Sequence, residues 1–168
     1  MLQPKPPTTE QQAEKPPARA VGNRRQPAPP NFKRGEYWLE LADDDLLTAK
    51  VLLRGGRFLH CGYFCHQAVE KALKSAIAKK TGRVPPRIHE LPRLGKIGGV
   101  WDALSEAQKS AVDNLVPLQL EGRYPAYKEQ LTKALSPDFC ARLVKDTEAL
   151  LCWTKRKFGT SPQDTPGK

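Results

Sequence analysis

The side chains best able to do chemistry in this chain crowd into one short stretch. His66, Gln67, Glu70, Lys71 and Lys74 follow one another at small intervals. On a helix, Gln67, Glu70, Lys71 and Lys74 share a face, and His66 stands one turn before Glu70 at the margin of the apolar stripe. A carboxylate beside an imidazole and two ammonium groups can hold a nucleotide or a phosphate. The same set can equally be an ion pair on a solvated face, since exposed pairs of this kind are common and weak. Arg123 and Tyr124 follow a helix and are placed to reach back toward it. A guanidinium stacked on a ring and paired with a carboxylate would brace the fold or contact a phosphate.

Other clusters carry less. Asp43, Asp44 and Asp45 are consecutive, so on a helix they point about 100° apart and cannot converge on one ion. Asp45 alone falls near the apolar side, where a base from another helix would pair with it. Cys61 and Cys65 lie one helical turn apart, and Cys140 and Cys152 are far along the chain; with three histidines in all, this is not a zinc-finger spacing. The cysteines read as buried free thiols in a reducing cytoplasm. The chain has no glycine-rich phosphate loop, no GxSxG and no HExxH, so neither a metal nor a cofactor is expected from motifs.

Helices must position these residues. Trp38, Leu41, Ala42, Leu46, Ala49, Leu52 and Leu53 repeat with the helical period and predict a helix over roughly 36–54, stopped by Gly55-Gly56. A second helix is expected over roughly 58–80 on the stripe Phe58, Gly62, Cys65, Val69, Leu73, Ala76 and Ile77, with Gly62 marking a close approach. Only a few residues separate the two, so they should pair antiparallel. Prolines and glycines break 83–103, leaving a loop and a short helix near His89–Gly95. Ser105 with Gln108 predicts a capping box for a helix over 106–120, which Pro117 should kink or end early. Gly122 to Tyr127 reads as an irregular link. Ser136-Pro137 starts a last helix over 137–158, with Phe139, Leu143, Thr147, Leu150 and Thr154 on one side. The expected fold is all-α: an up-and-down four-helix bundle with an additional short helix, over residues 35–158.

The charge lies elsewhere. The 168 residues carry a net +10. Residues 1–34 hold seven Lys/Arg and two Glu, and residues 155–168 hold four Lys/Arg and one Asp, whereas 35–154 is only +2. Eight of the sixteen prolines also fall in 1–34, with few large apolar residues to offset the ordering entropy. Residues 1–34 and 159–168 are therefore expected to be disordered tails. A basic arm of this kind can hold nucleic acid with steep salt dependence, or can simply keep the chain soluble. No stretch has the apolar length of a membrane span or of a secretory signal, and a cytoplasmic location is expected.

Three segments, CGYFCHQAVEKALKSAIAKKTG (61–82), PPRIHELPRL (85–94) and LEGRYP (120–125), together with WLELADDDLLTAKVLL (38–53), resemble the HEPN domain family, "higher eukaryotes and prokaryotes nucleotide-binding". The QAVEKALK run, the HELxxL step and the RYP step carry the likeness over about 36–155. The resemblance implies a helical bundle that usually pairs into homodimers. It also implies a minimal nucleotidyltransferase as partner, often in a toxin–antitoxin pair, and a nucleotide- or partner-binding role for His66, Gln67, Glu70, Lys71, Lys74, Arg123 and Tyr124.

One branch of that family consists of metal-independent ribonucleases with an Arg, four to six residues and then a His. Arg83 and His89 match that spacing formally. The chemistry requires an imidazole that exchanges protons beside a cation that steadies a phosphate. Here the match falls in a Pro-Pro loop and its His belongs to the HELxxL step. Where the later nuclease His is expected, the chain reads GRYPAYKEQ (122–130). The leading expectation is thus a non-catalytic HEPN partner. A ribonuclease toxin using Arg83 and His89, or a nucleic-acid-binding protein driven by its tails, are the alternatives. Deleting residues 1–34 would abolish nucleic-acid binding on the last alternative, with salt weakening the full-length chain steeply.

Overall fold

The computed structural model describes residues 34–119 and 133–158. Residues 1–33, 120–132 and 159–168, and with them the expected tails, the Gly122–Tyr127 link, Arg123 and Tyr124, lie outside the described residues. The described chain is helical and contains no strand: α1 (Arg34–Arg54), α2 (Phe58–Thr81), α3 (Leu91–Gly98), α4 (Glu106–Leu115) and α5 (Pro137–Phe158), with one-turn 3₁₀ segments at Trp101–Ala103 and Val116–Gln119.

The apolar stripes set the packing. Ala42, Leu46 and Ala49 of α1 are buried against α2, with Leu52 and Leu53 partly buried beside them. Gly56 ends α1 in the left-handed region, φ 67°. There Gly56 N–H donates to the Leu53 carbonyl (3.1 Å) and Arg57 N–H to the Leu52 carbonyl (2.9 Å), which satisfies two otherwise orphaned acceptors. The next helix turns back at once. Lys50 pairs with Glu148 at 2.6 Å and Lys155 with Asp43 at 2.5 Å. Rising numbers on α1 meet falling numbers on α5, so these two helices are also antiparallel.

Central to the bundle is α2, which packs against α1, α3, α4, α5 and the second 3₁₀ turn. A helix covered on several sides is buried nearly all round rather than along one stripe. Accordingly Cys61, Cys65, Ala68, Val69, Ala72, Leu73, Ala76 and Ile77 are buried, and so are His66, Glu70, Lys74 and Ser75. Ser75 Oγ donates to the Gly35 carbonyl at 2.7 Å and ties α2 to the start of α1. A Cβ on Gly62 would come 2.9 Å from Leu118 Cδ1. The close approach expected at Gly62 is therefore made by a side chain of the second 3₁₀ turn, not by a helix backbone.

The caps and stops follow the local chemistry. Gln108 N–H donates to Ser105 Oγ (3.3 Å) and Ser105 N–H to Gln108 Oε1 (2.9 Å), the reciprocal capping box. The helix expected to 120 ends at Leu115, because Pro117 lacks an N–H and the chain tightens into the 3₁₀ turn. Phe139 N–H donates to Ser136 Oγ (3.2 Å), with Pro137 opening α5. The short helix expected near 89–95 starts two residues later, at Leu91. Glu90 is extended (ψ 104°) and Pro92 occupies the first turn. We expect Leu94→Ala, at a fully buried site, to cost roughly 2–5 kcal/mol in urea unfolding. Leu47→Ala, at a site 60% exposed, should change stability by about 0.5 kcal/mol or less.

Candidate functional site

His66, Glu70 and Lys74 recur every four residues on α2, so they stack on one face, and that face is interior. Their relative exposures are 1%, 3% and 6%. A buried carboxylate must find donors or give up its charge, and Glu70 finds two. Lys74 Nζ donates to Glu70 Oε1 at 2.6 Å. His89, from the loop before α3, donates from Nδ1 to both carboxylate oxygens, at 3.0 and 3.1 Å. His66 approaches from the preceding turn, with Nε2 3.6 Å from Oε2.

His66 and Lys74 are themselves held. A carbonyl can only accept, so the 2.9 Å bond between His66 Nδ1 and the Leu115 carbonyl places a proton on Nδ1 and aims Nε2 at Glu70. Lys74 Nζ lies 5.3 Å from the centre of the Trp38 ring, within cation–π range. One carboxylate thus joins α2, the loop before α3, the end of α4 and the start of α1.

Electrostatics follow from this geometry. Burial pushes the Glu70 carboxyl up, but His66, Lys74 and His89 together outweigh burial and hold it down at about 2. Glu70 stays ionised near neutral pH and cannot serve there as a proton donor. Its neighbour behaves oppositely. Asp45 pairs with Lys71, yet burial outweighs that pairing and its carboxyl is raised.

The structure brings together His66, Glu70, Lys74 and His89. Lys71 sits one step round the helix on Asp45, and Gln67 is half-buried a turn before Glu70. The reading of this face as a solvated ion pair does not hold, because Glu70 and Lys74 are both buried. Asp45 meets a base of another helix as its position suggests, while Asp43 turns outward to Lys155. Arg83 is exposed at the end of α2, where its backbone N–H donates to Thr81 Oγ1 at 3.2 Å. His89 neither caps α3 nor bonds backbone: its partner is Glu70, and 53% of its side chain remains exposed. Sequence reasoning missed Trp38 and the Leu115 carbonyl as members of this network. The available signal was a lysine on an apolar helix face, which demands a compensating partner.

Two further expectations change or narrow. Cys61, Cys65 and Cys140 are buried free thiols, but Cys152 is exposed. A hydrogen bond with Cys61, and then burial, push the Cys140 thiol above its ordinary value. Among the described residues no group of three or more His, Cys, Asp or Glu could hold a metal ion, and no helix is long and apolar enough to cross a membrane.

The described residues form an all-helical bundle. The HEPN domain family model matches residues 35–157, and the chain belongs to that family. Its fold is similar to the crystal structure of an archaeal HEPN homologue, with a TM-score of 0.54 and 19% identity over 76% of this chain and 99% of that one. No curated protein matches the chain in sequence.

The depressed Glu70 fixes a pH dependence. Its folded value lies below the ordinary 4.5, so its contribution to stability is complete above pH 4.5 and is lost as pH falls through about 2. Thermal melts should show the wild type losing stability below pH 4.5, and E70Q losing less over the same range. At pH 7, E70A should cost roughly 3–5 kcal/mol, because it leaves a buried ammonium without its partner.

Proposed function

We propose that this chain is a non-catalytic HEPN module that docks on a nucleotidyltransferase, in the manner of a toxin–antitoxin pair, or holds a nucleotide at the corner built on Glu70 and His89. One observation carries this reading: the Glu70 carboxylate is already engaged by Lys74 and His89 in hydrogen bonds to both of its oxygens. A carboxylate held near 2 does not act as a general acid at neutral pH. What the network offers instead is a fixed, half-exposed imidazole with the exposed Arg83 and Arg87 on the same loop, a basic rim that suits a phosphate or an acidic partner surface. Homodimerisation, usual in the family, belongs to the same proposal, as does a cytoplasmic location.

A second reading has one specific support. The Glu70 carboxylate accepts from His89 Nδ1 and so orients the ring, leaving Nε2 as the nitrogen able to exchange a proton. Arg83 stands six residues earlier, which matches formally the spacing of the metal-independent ribonucleases. Incubating the full chain with total RNA in EDTA separates the two. The docking reading expects no cleavage products, and co-purification with a minimal nucleotidyltransferase that R83E or R87E weakens. Cleavage that H89A abolishes would overturn it in favour of the ribonuclease.

A further inference from the structure

The other end of α2 forms a second polar feature. Glu70 and Lys79 are nine residues apart, or about 14 Å along the helix axis. At that end, the last turns of α2, α3 and α5 surround a cleft of about 380 Å³ lined by Lys79, Lys80, Gly98, Gly99 and Phe158. None of the five is acidic.

The lining is arranged so that one ammonium group faces the cleft. Lys79 lays its stem across Gly35 at the start of α1, which makes it part of the wall. Lys80 is exposed, and its Nζ lies 2.7 Å from where a Cβ on Gly99 would stand. Gly99 has φ 69°, and its N–H donates to the Lys96 carbonyl at 3.0 Å. Glycine at this position therefore serves twice: it permits the left-handed turn and leaves room for the lysine head. Phe158 also lines the cleft, stands edge-to-face with Trp153, ring centres 6.0 Å apart, and supplies apolar surface.

Charge sets what can enter. Lys79 and Lys80 in the last turn of α2, and Lys96 in the last turn of α3, bring positive charge to this end of the bundle. Helix C-termini present carbonyls worth roughly half a negative charge, which alone would repel an anion. The lysines of the last turn reverse that sign. Lys155 is engaged with Asp43 and Lys157 lies over Trp153, whereas Lys80 faces the turn. Apolar surface lining the same cleft as one ammonium group selects a ring bearing a charge over a bare ion, because the bare ion cannot use that surface and a neutral ring cannot use the lysine.

We propose that this cleft binds a small aromatic anion, a flat ring carrying a phosphate or carboxylate, with Lys80 on the anionic group and Phe158 against the ring. The site is separate from the Glu70–His89 corner and stands or falls independently of it.

Binding to the full chain is measured by calorimetry and by the amide resonances of Gly98 and Gly99, with AMP, phenyl phosphate, benzoate, adenosine and inorganic phosphate as probes. At least one of the three aromatic anions should bind and shift both glycine resonances, with adenosine and inorganic phosphate weaker by about tenfold or more. K80E and F158L should each weaken the tightest probe by about tenfold, and K80R should restore it. Because Lys80 is exposed, K80E should melt as the wild type does. Three results would overturn the proposal: no shift at Gly98 and Gly99 with any aromatic anion at millimolar concentration, K80E binding as the wild type, or inorganic phosphate binding as tightly as the aromatic probes.

Discussion

Burying the charge of Glu70 is the constraint around which the bundle is organised. An ionised carboxylate taken out of water costs several kcal/mol even after relaxation, so it persists only where donors converge with good geometry. Lys74 donates from its own helix at i+4, and His66 stands 3.6 Å away at i−4. His89 must come from outside, which requires the chain after α2 to turn back through Pro85-Pro86 and present its imidazole. These side chains then recruit supports of their own, the Leu115 carbonyl for His66 and the Trp38 ring for Lys74. A single negative charge in α2 thereby specifies the relative placement of four segments that apolar contacts alone would hold with less register.

Apolar packing provides the bulk of the cohesion and explains why α2 can be central at all. Its buried positions are mostly small, with Ala68, Ala72, Ala76 and Ala78 beside Cys61 and Cys65, so neighbouring helices can approach closely. Ala42 and Ala49 answer them from α1. Exposed pairs such as Lys50–Glu148 and Lys155–Asp43 register α1 against α5, but contribute about 0–1 kcal/mol each. The buried network and the small-residue seam therefore fix the arrangement, and the surface pairs follow from it.

Most of the architecture was legible in the sequence because its signals are local. The 3.6-residue stripes, Gly56 after α1, the Ser105–Gln108 box and Ser136-Pro137 each report on a few neighbouring residues, and the helices appear where those signals stand. α3 starts later than expected, with Glu90 extended before it and Pro92 in its first turn, while the His89 side chain is bonded to a residue nineteen positions earlier. The site was half legible. That Glu70 and Lys74 share a face follows from spacing, but whether the face is wet or dry depends on what covers it. The cover comes from α1, α4 and the loop before α3, and local spacing within α2 does not say how these segments fold back over it. His89 was visible as a histidine beside a short helix, whereas its carboxylate partner was visible only in three dimensions.

The two polar regions of α2 illustrate how function separates from fold in such a bundle. In the middle turns Glu70 and Lys74 pair in the interior, and removing one leaves the other stranded there. In the last turn, Lys80 projects over a glycine turn beside an aromatic wall, and the fold gains nothing evident from the space it borders. The archaeal homologue shares this bundle at 19% identity, so the helical frame tolerates replacement of most side chains. Ligand chemistry can change at a helix end by substituting two or three residues without disturbing a core built several turns away.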